Sequence, residues 1–324
     1  MIAMKICGAL ILVAGLLAAG PLSSGSSSAA APTAQPAAPT VGPSFATAEE
    51  AVTTLIDAVR SGKPDLIAKV LGPGSDGVVN SGDPYADAQA GKRFVAAYDE
   101  QHKLIGTAPD RMVLQVGKND WPLPIPLVQA DGRWHFDAPA GAQELIDRRI
   151  GRNEIAAIRT SLAYVDGQKV FYALAKEVEG QPEYAQRLVS LPGRHDGLYW
   201  PSEEGETESP LAPLMAQAVE EGYPGERVSG KRIPYHGYFF RILTAQGTSA
   251  PDGARNYISN GRMTGGFALI AWPAIYGTSG IMSFIVNQDG IVFQKDLGTY
   301  TAGIAVTMKL FNPALSWARI EIIE

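Results

Sequence analysis

A single cysteine, Cys7, limits how this chain of 324 residues can fold more than any other residue. It precedes an apolar run at residues 8–19, and Lys5 places a positive charge before that run, which is typical of an export signal. A lipoprotein signal places its cysteine after the apolar run, so Cys7 is not predicted to carry a lipid. Without the leader, no thiol remains for disulfides, thiol catalysis or cysteine-ligated metals. The mature fold must therefore be stabilised by burial of apolar side chains.

We predict a signal peptide at residues 1–31, with cleavage near Gly20 or near Ala31. Its apolar run has roughly 12 residues, whereas a helix that spans a bilayer needs about 20. A retained anchor is the alternative. Residues 32–44 carry no charge and few large apolar side chains, so they are predicted to form a disordered tether. We therefore expect a periplasmic or secreted protein with no stable membrane span after signal removal.

The charge distribution argues against two classes of partner. The formal net charge is −6, and no run of Lys and Arg exceeds short pairs such as Arg148-Arg149. Nucleic acids and anionic membrane surfaces are bound by clustered cations. The sequence therefore predicts no nucleic-acid partner, and it leaves an unknown envelope protein or other macromolecule as the expected one.

Residues 45–150 carry the pattern of a small α+β domain. Thr47, followed three residues later by Glu50, fits a capping box at the start of a helix. Asp131-Gly132 is typical of a two-residue hairpin turn. Further predicted elements are a helix that starts at Pro64, a helix at 86–101, and strands at 111–116, 125–129 and 133–136. Helices followed by an antiparallel sheet resemble the nuclear-transport-factor-2-like (NTF2-like) fold.

Residues 151–324 are predicted to form a second α+β domain. A long helix at 141–176 carries one apolar stripe, and Gly151 predicts a kink or break at the domain boundary. The predicted elements that follow are a helix at 214–221 and strands at 235–245, 265–272, 281–287 and 291–295, with a hairpin turn at Asp289-Gly290. A long helix packed on an antiparallel sheet resembles a pilin or pseudopilin headgroup. The membrane helix of pilins is missing, so pilin-type assembly is not predicted.

Distinctive segments also carry a family resemblance across almost the whole mature chain. They lie at residues 45–52, 119–128, 132–137, 148–158, 192–201, 235–247, 265–273 and 284–298. On these segments the chain resembles an uncharacterised bacterial family of exported proteins, the domain of unknown function 2950. The resemblance implies export and the extent of the domains, but it implies no catalytic or binding residues.

Several motifs with chemical associations have plainer interpretations. Residues 72–77 match a dinucleotide fingerprint but follow a helix and contain a proline, so a turn is predicted. Residues 277–280 hold a serine between two predicted strands, where a hairpin loop is expected. Glu203, Glu204, Glu206 and Glu208 are expected to be a solvated charge run. Residues 121–126 fit either an edge that faces a partner or an edge guarded by proline.

One group of residues is a candidate binding site. If the loop around His195 folds over the strand that carries His236, imidazole, carboxylate and phenol groups would share a pocket suited to acid–base chemistry or ligand recognition. A buried structural loop is the other interpretation. The candidate binding residues are His195, Asp196, Tyr199, Trp200, Tyr235 and His236.

The sequence therefore favours a non-enzymatic envelope protein that binds or scaffolds another macromolecule. It predicts no catalytic residues, no metal site and no cofactor. The alternative is an enzyme or small-ligand-binding protein that uses a pocket around His195, Asp196, Tyr199 and His236.

Overall fold

The computed structural model describes residues 42–202, 205–224 and 232–321. The predicted leader, Cys7 and most of the predicted tether lie outside these residues. Among the described residues, no helix is both long and apolar enough to cross a membrane. Helices and several antiparallel sheets form the chain, which confirms the predicted α+β class.

Four helices and five strands surround a first hydrophobic core, the N-terminal core. The helices are α1 (Ala48–Arg60), α2 (Pro64–Leu71), α3 (Asp76–Val79) and α4 (Pro84–Glu100). The strands are β1 (His102–Ala108), β2 (Arg111–Val116), β3 (Trp121–Pro122), β4 (Leu127–Ala130) and β5 (Arg133–Phe136). The sheet order is β1-β2-β4-β5, all neighbours are antiparallel, and β3 also pairs with β2.

Local sequence signals explain where these elements begin and turn. The Thr47 hydroxyl accepts a hydrogen bond of 3.1 Å from the Glu50 amide, so the predicted cap of α1 is confirmed. Asp131 and Gly132 have φ values of 52° and 74° between β4 and β5, which confirms the hairpin turn there. A short 3-10 helix, Ala138–Ala140, leads into the next helix.

The long helix α5 (Ala142–Glu179) runs through Gly151 without interruption. The predicted break at this glycine is therefore wrong. Buried side chains on either side, Ile150 and Ala157, anchor the helix by packing, which outweighs the low helix propensity of a single glycine.

A second hydrophobic core, the C-terminal core, lies between α5 and a second five-stranded sheet, the C-terminal sheet. This sheet has the order β15-β13-β12-β11-β6 and is antiparallel throughout. The strands are β6 (Tyr238–Leu243), β7 (Ala245–Gln246), β8 (Arg255–Asn256), β9 (Ile258–Ser259), β10 (Arg262–Met263), β11 (Ala268–Pro273), β12 (Met282–Asn287), β13 (Phe293–Asp296), β14 (Leu310–Phe311) and β15 (Ala318–Arg319). The helices are α6 (Ala212–Glu220) and α7 (Thr301–Thr307).

Three details of this half differ from the sequence expectations. The strand predicted at 235–245 begins only at Tyr238, because His236 and Gly237 have positive φ values of 48° and 73° and form a turn. The turn after β12 was predicted as a two-residue turn at Asp289-Gly290. It instead spans residues 287–290, where the Gly290 amide donates to the carbonyl of Asn287 (3.0 Å). Helix α7 was not predicted, because Gly303 and its β-branched neighbours have low helix propensity.

The two cores are separate clusters of buried side chains, although residues 42–320 fall within one compact unit. The division into two domains at residues 45–150 and 151–324 therefore stays a prediction.

Candidate binding cleft

A cleft with a volume of about 970 Å³ lies beside the C-terminal sheet. Its walls come from α5, the segment 186–201, α6 and strand β6. Leu214 on α6 and Phe240 on β6 supply apolar surface, and Tyr164 on α5 both lines the cleft and belongs to the C-terminal core. A concave site of this size with a mainly apolar lining is typical of ligand-binding sites.

Aromatic side chains form much of the wall near the segment 186–201. The ring of His195 stacks on Trp200, with ring centroids 4.4 Å apart and planes 16° from parallel. The Trp200 indole N–H donates to the carbonyl of Thr207 (3.1 Å), which fixes the orientation of the stack. Tyr199 and Tyr235 complete this aromatic wall.

The permanently charged side chains among the described lining residues of the cleft are all arginines. Four arginines and one histidine are present, and no Asp, Glu or Lys is found among the described lining residues. The arginines are Arg187, Arg194, Arg232 and Arg241. An apolar cleft whose charged side chains are all guanidinium groups attracts ligands that combine apolar surface with a negative charge.

These arginines differ in how they are held. Arg187 lies 3.6 Å from the Asp196 carboxyl group, and Arg241 donates to the carbonyls of Ala305 and Met308 at the end of α7. Burial, and secondarily the nearby charge of Arg232, lowers the pKa of Arg241. Its Nε atom is buried without a hydrogen-bond partner among the described residues.

Arg194 and Arg232 are exposed, and neither forms an ion pair with any described residue. Both guanidinium groups are therefore available to an incoming anion.

The structure brings four of the six sequence-predicted site residues to the cleft. His195, Tyr199, Trp200 and Tyr235 line it, whereas Asp196 and His236 do not. Asp196 instead closes its own loop, because its carboxyl group accepts from the Leu191 amide (2.9 Å). The binding role of all six stays a prediction.

His236 lies on the turn that precedes β6. Its Nε2 atom is 3.0 Å from a carboxyl oxygen of Glu221, which follows α6. Its ring is 4.2 Å from that of Tyr235 and 6.1 Å from that of Tyr223, centroid to centroid. His236 therefore supports the cleft wall from behind.

A buried polar cluster lies behind the same wall and was missed by sequence reasoning. The fully buried carboxyl group of Asp83 accepts from the Tyr223 hydroxyl (2.7 Å) and from the Gly237 amide (2.8 Å). It also accepts from the Ala86 amide (3.1 Å), which caps α4. The Tyr223 hydroxyl in turn accepts from the His236 amide (3.0 Å). Asp83 before Pro84 is a recognisable helix cap, but its partners 140 and 154 residues away leave no local signal.

The tyrosines at this wall keep their protons at neutral pH. Burial, followed by the nearby Asp83, raises the pKa of Tyr223. Burial, followed by Glu221, raises the pKa of Tyr235 to about 12. The Tyr235 hydroxyl can therefore donate a hydrogen bond to a ligand, whereas that of Tyr223 already donates to Asp83, and neither adds a negative charge.

The remaining motifs do not form sites among the described residues. Residues 72–77 form the turn after α2 and the start of α3. The Ser279 hydroxyl is buried in the loop between β11 and β12 and hydrogen-bonds to the backbone of Ile275. No group of three or more His, Cys, Asp or Glu side chains could hold a metal ion in the described ranges.

The structure describes parts of the two remaining surface motifs, the proline-rich segment 121–126 and the glutamates of residues 203–208. Trp121 belongs to β3, which pairs with β2, and the Arg148 guanidinium lies 5.7 Å from the centre of its indole ring. Glu206 and Glu208 are exposed, whereas Glu203 and Glu204 lie outside the described residues.

Together, the described residues form an α+β protein with two hydrophobic cores and a ligand-sized cleft lined by arginines. Over residues 43–320 the chain matches the family described as "Protein of unknown function (DUF2950)", and it belongs to that family. No curated protein and no solved structure matches it. The NTF2-like and pilin-like resemblances of the two halves therefore stay predictions.

Proposed function

We propose that this protein is an exported, non-enzymatic binding protein that holds an amphipathic anion in the cleft. The observation that carries the proposal is the lining: aromatic and aliphatic side chains with four arginines, and no acidic side chain among the described lining residues. The apolar part of such a ligand would lie against Leu214 and Phe240, and its negative charge would lie near Arg194 and Arg232.

Binding without chemistry is favoured over catalysis by the arrangement of the imidazoles. His195 is the one histidine among the described lining residues, and its ring is stacked on Trp200. Among the described lining residues, no carboxyl group is present to orient that ring as a general base. The enzyme alternative around His195, Asp196, Tyr199 and His236 therefore has less support than ligand binding.

The proposed ligand class can be tested with 1-anilinonaphthalene-8-sulfonate, which joins an aromatic body to a sulfonate. We expect one molecule to bind each folded chain with enhanced fluorescence. Replacing both Arg194 and Arg232 with glutamine is expected to weaken binding about tenfold, because each exposed charge interaction contributes about 0.5–1 kcal/mol. Fluorescence titration measures this change.

The matched control is Arg111→Gln, which removes an exposed arginine on β2, outside the cleft. It is expected to leave the dissociation constant unchanged. Equal affinity of the parent and the Arg194→Gln/Arg232→Gln variant would contradict the proposal.

The export part of the proposal rests on the leader at residues 1–31. Expression in a bacterial host is expected to yield an envelope or culture-medium fraction whose first residue follows Gly20 or Ala31, as read by mass spectrometry. Deleting residues 8–19 is expected to retain the chain in the cytosol. An intact chain that accumulates in the cytosol without this deletion would argue against export, and with it against a periplasmic or secreted location.

A further inference from the structure

Strand β6 lies at one end of the five-stranded sheet, so one of its edges faces away from β11. The backbone groups of Tyr238 point to this outer edge. Its N–H donates to the carbonyl of Tyr235 across the turn (3.1 Å), and its C=O accepts from the Tyr235 amide (2.8 Å). At the far end, the carbonyl of Thr244 accepts from the Tyr257 amide (2.9 Å). The two ends of the outer edge are therefore occupied.

Between these ends, the outer edge has no partner strand among the described residues. Backbone groups along an antiparallel strand alternate between its two edges, so Phe240 and Ile242 direct their N–H and C=O groups outward, as Tyr238 does. None of these four groups has a hydrogen-bond partner among the described residues. The segment before the turn does not pair with them, because Pro234 has no N–H and the Ile233 amide makes no bond to Phe240.

The cleft reaches this open edge. Successive side chains of a strand point to opposite faces of its sheet, so Phe239 and Arg241 lie on one face and Phe240 and Ile242 on the other. All four residues line the cleft. The cleft therefore extends around the outer edge of β6 and contacts both faces of the strand.

We propose that the ligand of the cleft is an extended acidic segment of another polypeptide, which adds to β6 as a further strand. This inference rests on the proposed function and specifies its ligand. Such a segment supplies backbone partners for Phe240 and Ile242, and its acidic side chains reach Arg194 and Arg232. A fatty acid or other lipid anion would satisfy the arginines but would leave the four backbone groups unpaired.

The test begins with a displayed library of random peptides of about twelve residues, selected on the immobilised full chain. We expect the enriched peptides to be rich in Asp and Glu. One enriched peptide is then synthesised in two forms, N-methylated at every odd or at every even residue. Strand addition uses the N–H groups of one edge only, so one form should bind about tenfold more weakly or worse and the other should bind like the parent peptide.

A pair of protein variants tests the same contact from the other side. Ile242→Pro removes both the isoleucine side chain and the outward N–H. Ile242→Ala removes the same side chain but keeps the N–H. Peptide affinity should be about tenfold lower for the proline variant than for the alanine variant. The N-methylated peptides decide the question without these variants if the proline variant does not fold.

Dodecanoate and 1-anilinonaphthalene-8-sulfonate are titrated in parallel. If these anions bind but no acidic peptide is enriched, or if both N-methylated forms bind alike, the strand-addition inference is overturned and the proposed function stands. If neither the anions nor any peptide binds in the cleft, both are overturned. Loss of binding in one N-methylated form alone supports the inference.

Discussion

Replacing Asp83 with alanine is expected to lower the free energy of unfolding by about 3–5 kcal/mol. The substitution removes the cap of α4 and leaves the Tyr223 hydroxyl and the Gly237 amide buried without their acceptor. Loss of a cap costs about 1 kcal/mol, and each unsatisfied buried donor adds about 1–3 kcal/mol. Urea unfolding followed by circular dichroism measures the change.

Two comparisons separate these contributions. Thr47→Ala removes the cap of α1 and no other hydrogen bond that this side chain makes with the described residues, so it is expected to cost only about 1 kcal/mol. Tyr223→Phe removes one partner of Asp83, and its effect should be less than additive with that of Asp83→Ala. If Asp83→Ala costs no more than Thr47→Ala, the cluster behind the cleft contributes little to stability.

Replacing Gly141 with alanine is expected to destabilise the protein by about 3 kcal/mol. A Cβ atom at this position would lie 2.2 Å from the carbonyl oxygen of Pro124 and 2.6 Å from the amide nitrogen of Ile125. Both contacts are with backbone, which cannot move aside as a flexible side chain does. The start of α5 would have to shift away from the loop that precedes β4.

Gly151→Ala provides the matched control in the same helix. A Cβ atom at residue 151 would meet no atom within 4 Å, and alanine has the higher helix propensity. This variant is expected to be more stable by about 1 kcal/mol, and thermal unfolding of both variants measures the difference. If Gly141→Ala is as stable as Gly151→Ala, the close contact at Gly141 does not govern the stability of the start of this helix.

The elements that the sequence predicted well are those with strong local signals. The Thr47 cap and the Asp131-Gly132 turn each depend on hydrogen bonds or φ values within a few residues, and the structure confirms both. Strand β11 is an unbroken apolar run and is fully buried. The wrong break at Gly151 came from the same kind of local reasoning, because propensity was not weighed against the packing of the helix on both sides.

Local patterns in the sequence predicted only part of the candidate site. Aromatic residues around His195 and Tyr235 drew attention to two segments that both reach the cleft. The four arginines come from separate segments of the chain, so no spacing rule indicated that they line one cleft. The sequence analysis offered a pocket shared by His195 and His236, but the turn at residues 235–238 directs His236 to Glu221.

By itself, the sequence determined the α+β class and the caps and turns that limit individual elements. It also determined the membership in the DUF2950 family, which the chain matches over residues 43–320. Only the tertiary structure decided that α5, α6 and β6 enclose a positively charged cleft and that Asp83 supports it from behind. The physical reason is the distance along the chain over which each kind of signal acts. Periodicity and capping report interactions over a few residues, whereas a cleft forms where packing brings together segments that share no local pattern.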